Sequence, residues 1–321
     1  MMLPIQHYFP KADALVYGCM GLGGSWDQPT TSKEQRDLSF TAIDAALEAN
    51  IRFFDHADIY TRGKAEAVFG EYLAAHSGLR DQLILQSKCA IRFADATAVG
   101  RYDSSKSYIV ESVHQSLKRL QTDYLDILLL HRPDQLMLID EVAEAFAELK
   151  QQGKVKAFGV SNFGWPQLQL LQSALPEPLV ANQLQMSLKD LNWLEQNVLT
   201  AMPDGAAHHF SYGTVEYCQL HKVQLQAWGS LAQGLFTGGR SPETAAQQAT
   251  AALVASLAAD YQTSPEAIVL AFLLKHPAGI QPVIGTTAPA RIAACQKALT
   301  VNLSREHWYA LYVAARGKAL P

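Results

Sequence analysis

Apolar positions fall into two kinds of run that alternate from one end of the chain to the other: short, nearly continuous ones, and longer ones in which apolar residues recur every three or four positions. The first kind suits a strand covered on both faces, the second an amphipathic helix. Strands are expected at 14–17, 52–54, 83–87, 127–130, 157–160, 180–182, 224–227 and 281–284. Helices are expected between them at 33–48, 65–75, 106–120, 140–152, 166–173, 214–221 and 265–276, with 289–299 after the last strand. Ser32 can cap the first helix, Ser264 followed by Pro265 and Glu266 opens the seventh, and Gly153 closes the fourth. Such alternation requires a parallel sheet with crossover helices, and eight strands close a barrel. The expected fold is α/β: a (β/α)8 TIM barrel over residues 1–321 as one domain, with extra helices at 242–261 and 304–316 outside the barrel. An open doubly wound sheet is disfavoured, because the glycine-rich stretch 18–24 lacks the GxGxxG spacing and no helix starts directly after it.

In such a barrel the active site lies where the strands end, so the residue on which each strand ends becomes the useful observation. Strand two ends at Asp55, three at Lys88, four at His131, five at Ser161 and Asn162, six at Gln183, seven at Trp228 and eight at Gly285 and Thr286. Any one of these reads equally well as the first solvated position after a strand. Together they bring an acid, an amine, an imidazole, amides, hydroxyls and an aromatic face to one mouth. Tyr60, five positions after Asp55, joins them. A phenol with an ordinary pKa of about 10 exchanges protons poorly at neutral pH, but a neighbouring ammonium stabilises its phenolate, and a carboxylate beside the ammonium keeps that amine charged. Lys88 and Asp55 suit those two parts, and His131 can hold a carbonyl oxygen from the other side. The set can deliver a proton to an oxygen while a hydride reaches its carbon, and since no side chain supplies hydride, a cofactor must.

Composition narrows the alternatives. The formal net charge of -4 and the scattered Lys and Arg residues provide no basic track for a phosphate backbone, so no nucleic-acid partner is expected. Cys19, Cys89, Cys218 and Cys295 lie far apart with no CxxC pair, which points to free thiols and to no metal site. No run reaches the length needed to span a bilayer and the start of the chain lacks a signal-like pattern, so a cytoplasmic protein with no membrane association is expected. No heptad pattern calls for assembly, and a monomer is the default.

The segment Phe54-Asp55-His56-Ala57-Asp58-Ile59-Tyr60 resembles that of the aldo-keto reductases, in which an aspartate and a tyrosine lie five apart. Gln86-Ser87-Lys88 resembles the family's lysine strand and Leu129-Leu130-His131-Arg132-Pro133-Asp134 its histidine strand. The stretch 153–163 (GKVKAFGVSNF) is the most specific, Ala181-Asn182-Gln183 completes the order, and the likeness runs over nearly the whole chain. The resemblance implies a catalytic tetrad of Asp55, Tyr60, Lys88 and His131, with Tyr60 as general acid, a small-molecule carbonyl substrate, and NADP(H) extended across the barrel mouth. It implies that Ser161, Asn162 and Gln183 hold the nicotinamide carboxamide. Trp228 would stack on the ring, where the family more often has tyrosine, and Gly18, Cys19 and Met20 would line it. Gly229, Ser230 and Leu231 would follow the pyrophosphate, and Gly285, Thr286, Thr287 and Arg291 the adenosine end.

Two departures stand out. Trp228-Gly229-Ser230-Leu231 replaces the common Tyr-Ser-Pro-Leu, and Gly285 stands where many relatives place a basic residue near the 2′-phosphate. Arg291 is then the chief cation for that phosphate, and Thr286 could add a hydroxyl. Alternation directs His56 away from the side that Asp55 faces, so it is read as structural. His208 and His209 are read as solvated loop residues, and Trp26 as the best candidate for a substrate wall. Two other functions share the fold: a nucleotide-sensing subunit with little turnover, and an aldolase in which Lys88 forms a Schiff base. The pairing of Asp55 with Lys88 argues against the second.

Overall fold

The computed structural model describes residues 2–321. Eight parallel strands close into a barrel: β1 (Val16–Gly18), β2 (Phe53–Asp55), β3 (Ile84–Cys89), β6 (Leu125–Leu130), β7 (Val155–Ser161), β8 (Ala181–Gln185), β9 (Gln224–Trp228) and β10 (Gln281–Ile284), with β10 pairing back onto β1. Each strand is buried almost throughout, as a sheet covered by helices outside and by its own side chains inside requires. Between β3 and β6 a small antiparallel hairpin, β4 (Ile91–Arg92) and β5 (Arg101–Tyr102), stands apart from the barrel. Its strands are only two residues long, so no alternation announces them.

The helices are α1 (Lys33–Glu48), α2 (Lys64–Ala75), α3 (Lys106–Leu120), α4 (Ile139–Gln151), α5 (Trp165–Gln172), α6 (Asn192–Val198), α7 (Thr214–Leu220), α8 (Ala245–Asp260), α9 (Pro265–Leu274), α10 (Pro289–Gln296) and α11 (Arg305–Arg316). The expected caps are in place. The Ser32 hydroxyl accepts from the Gln35 amide while the Gln35 side chain accepts from the Ser32 amide, Ser264 caps α9, and Gly153 takes the left-handed conformation just beyond α4. The extra helices α8 and α11 pack on each other outside the barrel. Helix α6, a seven-residue segment in the connection between β8 and α7, was not expected.

Period two along the strands sorts their side chains into an outer set facing the helices and an inner set filling the barrel. The lower interior is largely apolar, built from Val16, Phe53, Ile127, Leu129, Ala181 and Val283, with the buried Gln224 and Gln281 bonded to backbone there, and a turn at Pro4–His7 carries Leu3 and Ile5 beneath it as a floor. Gly159 lies in this wall, where a Cβ would come within 2.6 Å of the Ala181 carbonyl and 2.7 Å of Leu129 Cδ2, so the close approach of β7 and β8 excludes any larger residue. Above this layer the inner positions turn polar.

Candidate active site

The register of the barrel carries the polar positions to one level. Asp55 on β2 lies beside Gln86 on β3, and Ser161 on β7 beside Gln183 on β8. Lys88, two positions beyond Gln86, faces the same interior. Its ammonium is fully buried and lies 2.7 Å from each oxygen of Asp55, 2.9 Å from the His56 carbonyl and 3.0 Å from the Tyr60 hydroxyl. The ring of His131 stands edge-on to that of Tyr60, with centroids 6.0 Å apart. The four residues singled out in the sequence, from three strand ends and one turn, are thus one cluster.

Tyr60 is held by an unusual turn. Thr61 and Arg62 both follow it in the left-handed conformation, at φ 46° and 59°, a geometry that costs a non-glycine residue about 1–3 kcal/mol. The Thr61 hydroxyl, buried, donates to the Leu22 carbonyl at 3.0 Å and anchors the turn to the loop after β1. The turn sets the backbone of Tyr60, and the bond from Lys88 holds its hydroxyl.

Electrostatics divide the four unequally. Burial alone would lower the pKa of Lys88, but Asp55 and then Tyr60 outweigh it and hold the amine above its usual range, so it stays charged. Burial pushes the Tyr60 phenol above its ordinary value, and the Lys88 ammonium opposes this without cancelling it. The expectation that Lys88 stabilises the phenolate thus describes one influence on Tyr60, with burial the larger one. His131 is pushed down to about 2, first by burial and then by the charges of Lys88 and Arg132, and its imidazole is neutral at any working pH. Its Nδ1 is buried without a partner among the described residues.

Around this cluster the remaining polar residues are already bonded to one another. Ser161 donates to the Gln183 carbonyl at 2.9 Å. Asn162, left-handed at φ 64°, donates from Nδ2 to the His131 carbonyl at 3.1 Å and accepts from Trp228 Nε1 at 3.0 Å. Gln183 gives its Nε2 to Gln226 at 3.1 Å. The Ser230 hydroxyl is buried and donates to the Val283 carbonyl at 2.8 Å, so what it offers the mouth is backbone. A Cβ built on Gly229 or Gly285 would meet nothing within 4 Å, whereas one on Gly18 would meet Val283 and the Ile284 carbonyl at 3.0 and 3.1 Å. Cys19 is buried, Met20 is exposed, and Leu231 is buried. Thr287 packs near Gly21, and the Thr286 hydroxyl accepts from the Ala288 amide at 3.3 Å.

Arg291 is not a free surface residue. Its guanidinium donates to Glu266 at 3.1 Å and to the Thr237 hydroxyl at 2.5 Å, and lies over Gly234 and Gly239. His208, expected to be solvated, is half-buried and bonded to Asn192 at 2.9 Å; among the described residues no group of three possible ligands gathers around it or elsewhere. His56 packs its ring against Phe69, away from the cluster, with both nitrogens unpartnered. Trp26 has an exposed ring, its carbonyl accepts from Arg62 at 3.3 Å, and the Arg62 guanidinium lies 5.0 Å over Phe93 just after β4. Sequence reasoning missed Gln86, whose Nε2 donates to Asp55 at 2.6 Å. The signal was there, since Gln86 is two positions before Lys88 and so faces the same way. All four cysteines are free and buried, and no helix among the described residues is long and apolar enough to cross a membrane.

Comparison with known proteins agrees with this architecture over nearly the full length. The model of the Aldo/keto reductase family matches residues 14–312. The chain is 38% identical to the uncharacterized oxidoreductase YcsN of Bacillus subtilis, covering 87% of this chain and 88% of that protein. It is 36% identical to a 6-dehydroglucose reductase of Agrobacterium fabrum, covering 95% and 94%. Among solved structures it is similar to an aldo-keto reductase from Klebsiella pneumoniae in complex with NADPH, with a TM-score of 0.73, 25% identity, and coverage of 94% and 90%. With a barrel, a buried lysine–carboxylate–tyrosine cluster and these relatives in agreement, the chain belongs to the aldo/keto reductase family of oxidoreductases.

Proposed function

We propose that the chain reduces an aldehyde or ketone to the alcohol with NADPH, and that Tyr60 delivers the proton. The observation that carries this reading is the Lys88 ammonium, fully buried and within 3.0 Å of both Asp55 and the Tyr60 hydroxyl. The NADPH complex of the Klebsiella neighbour and the name of the Agrobacterium relative support the cofactor and the direction of the reaction.

The residues at the mouth fit a dinucleotide. Gln183 has its Nε2 engaged, which leaves its carbonyl oxygen to accept from a carboxamide, and Ser161 and Asn162 frame the same place. Trp228, pinned by Asn162, would face the nicotinamide ring with Gly18, Cys19 and Met20 beside it. The open backbone at Gly229 and Gly285 leaves room for phosphate oxygens to approach, next to Ser230, Leu231, Thr286 and Thr287. Arg291, fixed by Glu266 and Thr237, would be the cation for the 2′-phosphate.

When bound, NADPH supplies the hydride. The chain's own residues handle the proton and the developing charge. Because burial keeps the phenol protonated, Tyr60 enters the reaction as an acid, and Lys88 stabilises the phenolate it leaves. Asp55 keeps Lys88 charged, which also removes the free amine that a Schiff base needs. His131, neutral, offers the carbonyl oxygen a hydrogen-bonding group that cannot compete as an acid at neutral pH. The candidates for a substrate wall are Trp26 and Phe93, both exposed and linked through Arg62, which follows Tyr60 closely in the chain.

The test is turnover of a panel of aromatic aldehydes, ketones and quinones with NADPH carrying deuterium at the transferable position. Deuterium on the carbinol carbon of the product is the expected result. Tight NADPH binding without turnover across the panel would refute the reductase reading and favour a nucleotide sensor.

A further inference from the structure

Barrel interiors are ordinarily filled by branched apolar side chains. Here Gln86, Gln226 and Gln281 are fully buried and Gln183 nearly so, and they form one connected chain of amides. Gln281 donates to the Asp13 carbonyl at the barrel floor at 2.6 Å, and Gln226 donates to Gln281 at 3.0 Å. Gln86 donates to Gln226 at 2.8 Å and to Asp55 Oδ1 at 2.6 Å, while Gln183 donates to the same oxygen of Gln226 at 3.1 Å. The chain thus ends on the carboxylate that holds Lys88, and a side branch ends on the residue placed for the nicotinamide amide.

Gln86 gains little for the fold itself. Its Oε1 is buried with no partner, a loss that a methionine of similar length would avoid. Turning the amide over would not repair this, since Oε1 would then face Asp55 Oδ1 and Gln226 Oε1, two acceptors. The observed orientation is the one in which both protons of a single NH2 group are used and Asp55 receives a donor. Oδ1 of Asp55 is therefore clamped between Gln86 Nε2 at 2.6 Å and Lys88 Nζ at 2.7 Å, and with Oδ1 fixed, Oδ2 also meets the ammonium at 2.7 Å.

We propose that Gln86 is a positioning residue of the reaction centre, orienting the Asp55 carboxylate so that it holds Lys88 against the Tyr60 hydroxyl, with Gln226 fixing Gln86 in turn. The inference rests on the reading of Tyr60 as proton donor for its consequence in turnover, though not for its geometry. Without the Gln86 donor, the carboxylate turns about its own bond and draws the ammonium with it. Tyr60 then loses the charge that opposes its burial, and its ionisation moves to higher pH.

The experiment pairs crystal structures with pH profiles for the wild type, Gln86→Met and Gln86→Glu, with NADPH affinity followed by fluorescence. In Gln86→Met the Asp55 carboxylate is expected to rotate and the Lys88–Tyr60 separation to exceed about 3.5 Å, beyond hydrogen bonding. The maximal rate of reduction should fall about tenfold with NADPH affinity within about twofold, and the alkaline limb of the profile should move up by about half a unit or more. Gln86→Glu has a donor only while its carboxyl is protonated, so it should work at acid pH and fail as pH rises. It also supplies the reading if the methionine protein does not fold. An unchanged Asp55–Lys88–Tyr60 geometry in Gln86→Met, or a rate and profile like the wild type, would overturn the proposal. Turnover that survives in Tyr60→Phe would instead sink the proton-donor reading and leave the structural result on Gln86 to stand or fall alone.

Discussion

The two ends of the barrel mouth are built on different terms. At the reacting end, the buried Asp55 and Lys88 and the partly buried Tyr60 are bonded to one another before any ligand arrives, so the electrostatic work of the site is set in advance. At the adenosine end the positions that would meet phosphate are glycines with open space, a serine whose hydroxyl is spent on backbone, and one arginine shared with Glu266 and Thr237. The reacting end is thus assembled by direct bonds among its own side chains, whereas the adenosine end, on the proposed reading, offers the 2′-phosphate one cation, Arg291.

Substituting Lys88 probes the reacting end with the largest effect. Lys88→Met leaves the Asp55 carboxylate buried without its counter-charge, which should cost about 3–5 kcal/mol of stability in urea unfolding and lower turnover by a factor of about 100 or more. A protein as stable and active as the wild type would show that the charge pair carries neither load. Arg291→Gln probes the other end. It keeps a hydrogen bond for Glu266 but removes the charge, so the NADPH dissociation constant should rise about tenfold while that for NADH stays put. Equal losses for both cofactors would mean that Arg291 supports the loop and does not read the phosphate.

The smallest effect is expected outside both ends. His56 is pushed down to about 3 by burial, with Lys88 adding to the shift, from a model-compound value of 6.5. A histidine whose folded pKa is depressed contributes stability above its unfolded pKa and loses it as pH falls, because the unfolded chain takes up the proton first. Stability should therefore decline with falling pH from about 6.5. His131 and His276, also depressed by burial, share that decline, so His56→Leu, which removes two unpartnered nitrogens, should lessen it without abolishing it and leave turnover within about twofold, as followed by thermal melting across pH and by initial rates. A steeper acid loss in the variant would contradict the assignment.

Asp55, Lys88 and His131 were legible in the sequence because they end strands, whereas Tyr60 lies in a turn beyond β2 and its place beside them was suggested by the family segment in which an aspartate and a tyrosine lie five apart. The fold was legible because apolar strand runs and amphipathic helices alternate along the chain, while β4, β5 and α6 lie inside connections and fall outside that alternation. The adenosine end was less so. Arg291 could be named, but its partners lie 25 and 54 positions away and belong to α9 and to the loop after β9. Gln86 was hidden differently: it lies inside a strand, where attention to strand ends passes over it, and only the register with Asp55 shows that it is a neighbour.

The central claim is that Tyr60 gives up its proton from a site that Lys88 and Asp55 have already assembled. Single-turnover oxidation of bound NADPH by an aromatic aldehyde, compared between the wild type and Tyr60→Phe, tests it most directly. The phenylalanine protein is expected to bind NADPH as the wild type does and to oxidise it slower by a factor of about 100 or more. Oxidation at the wild-type rate, with alcohol formed, would contradict it.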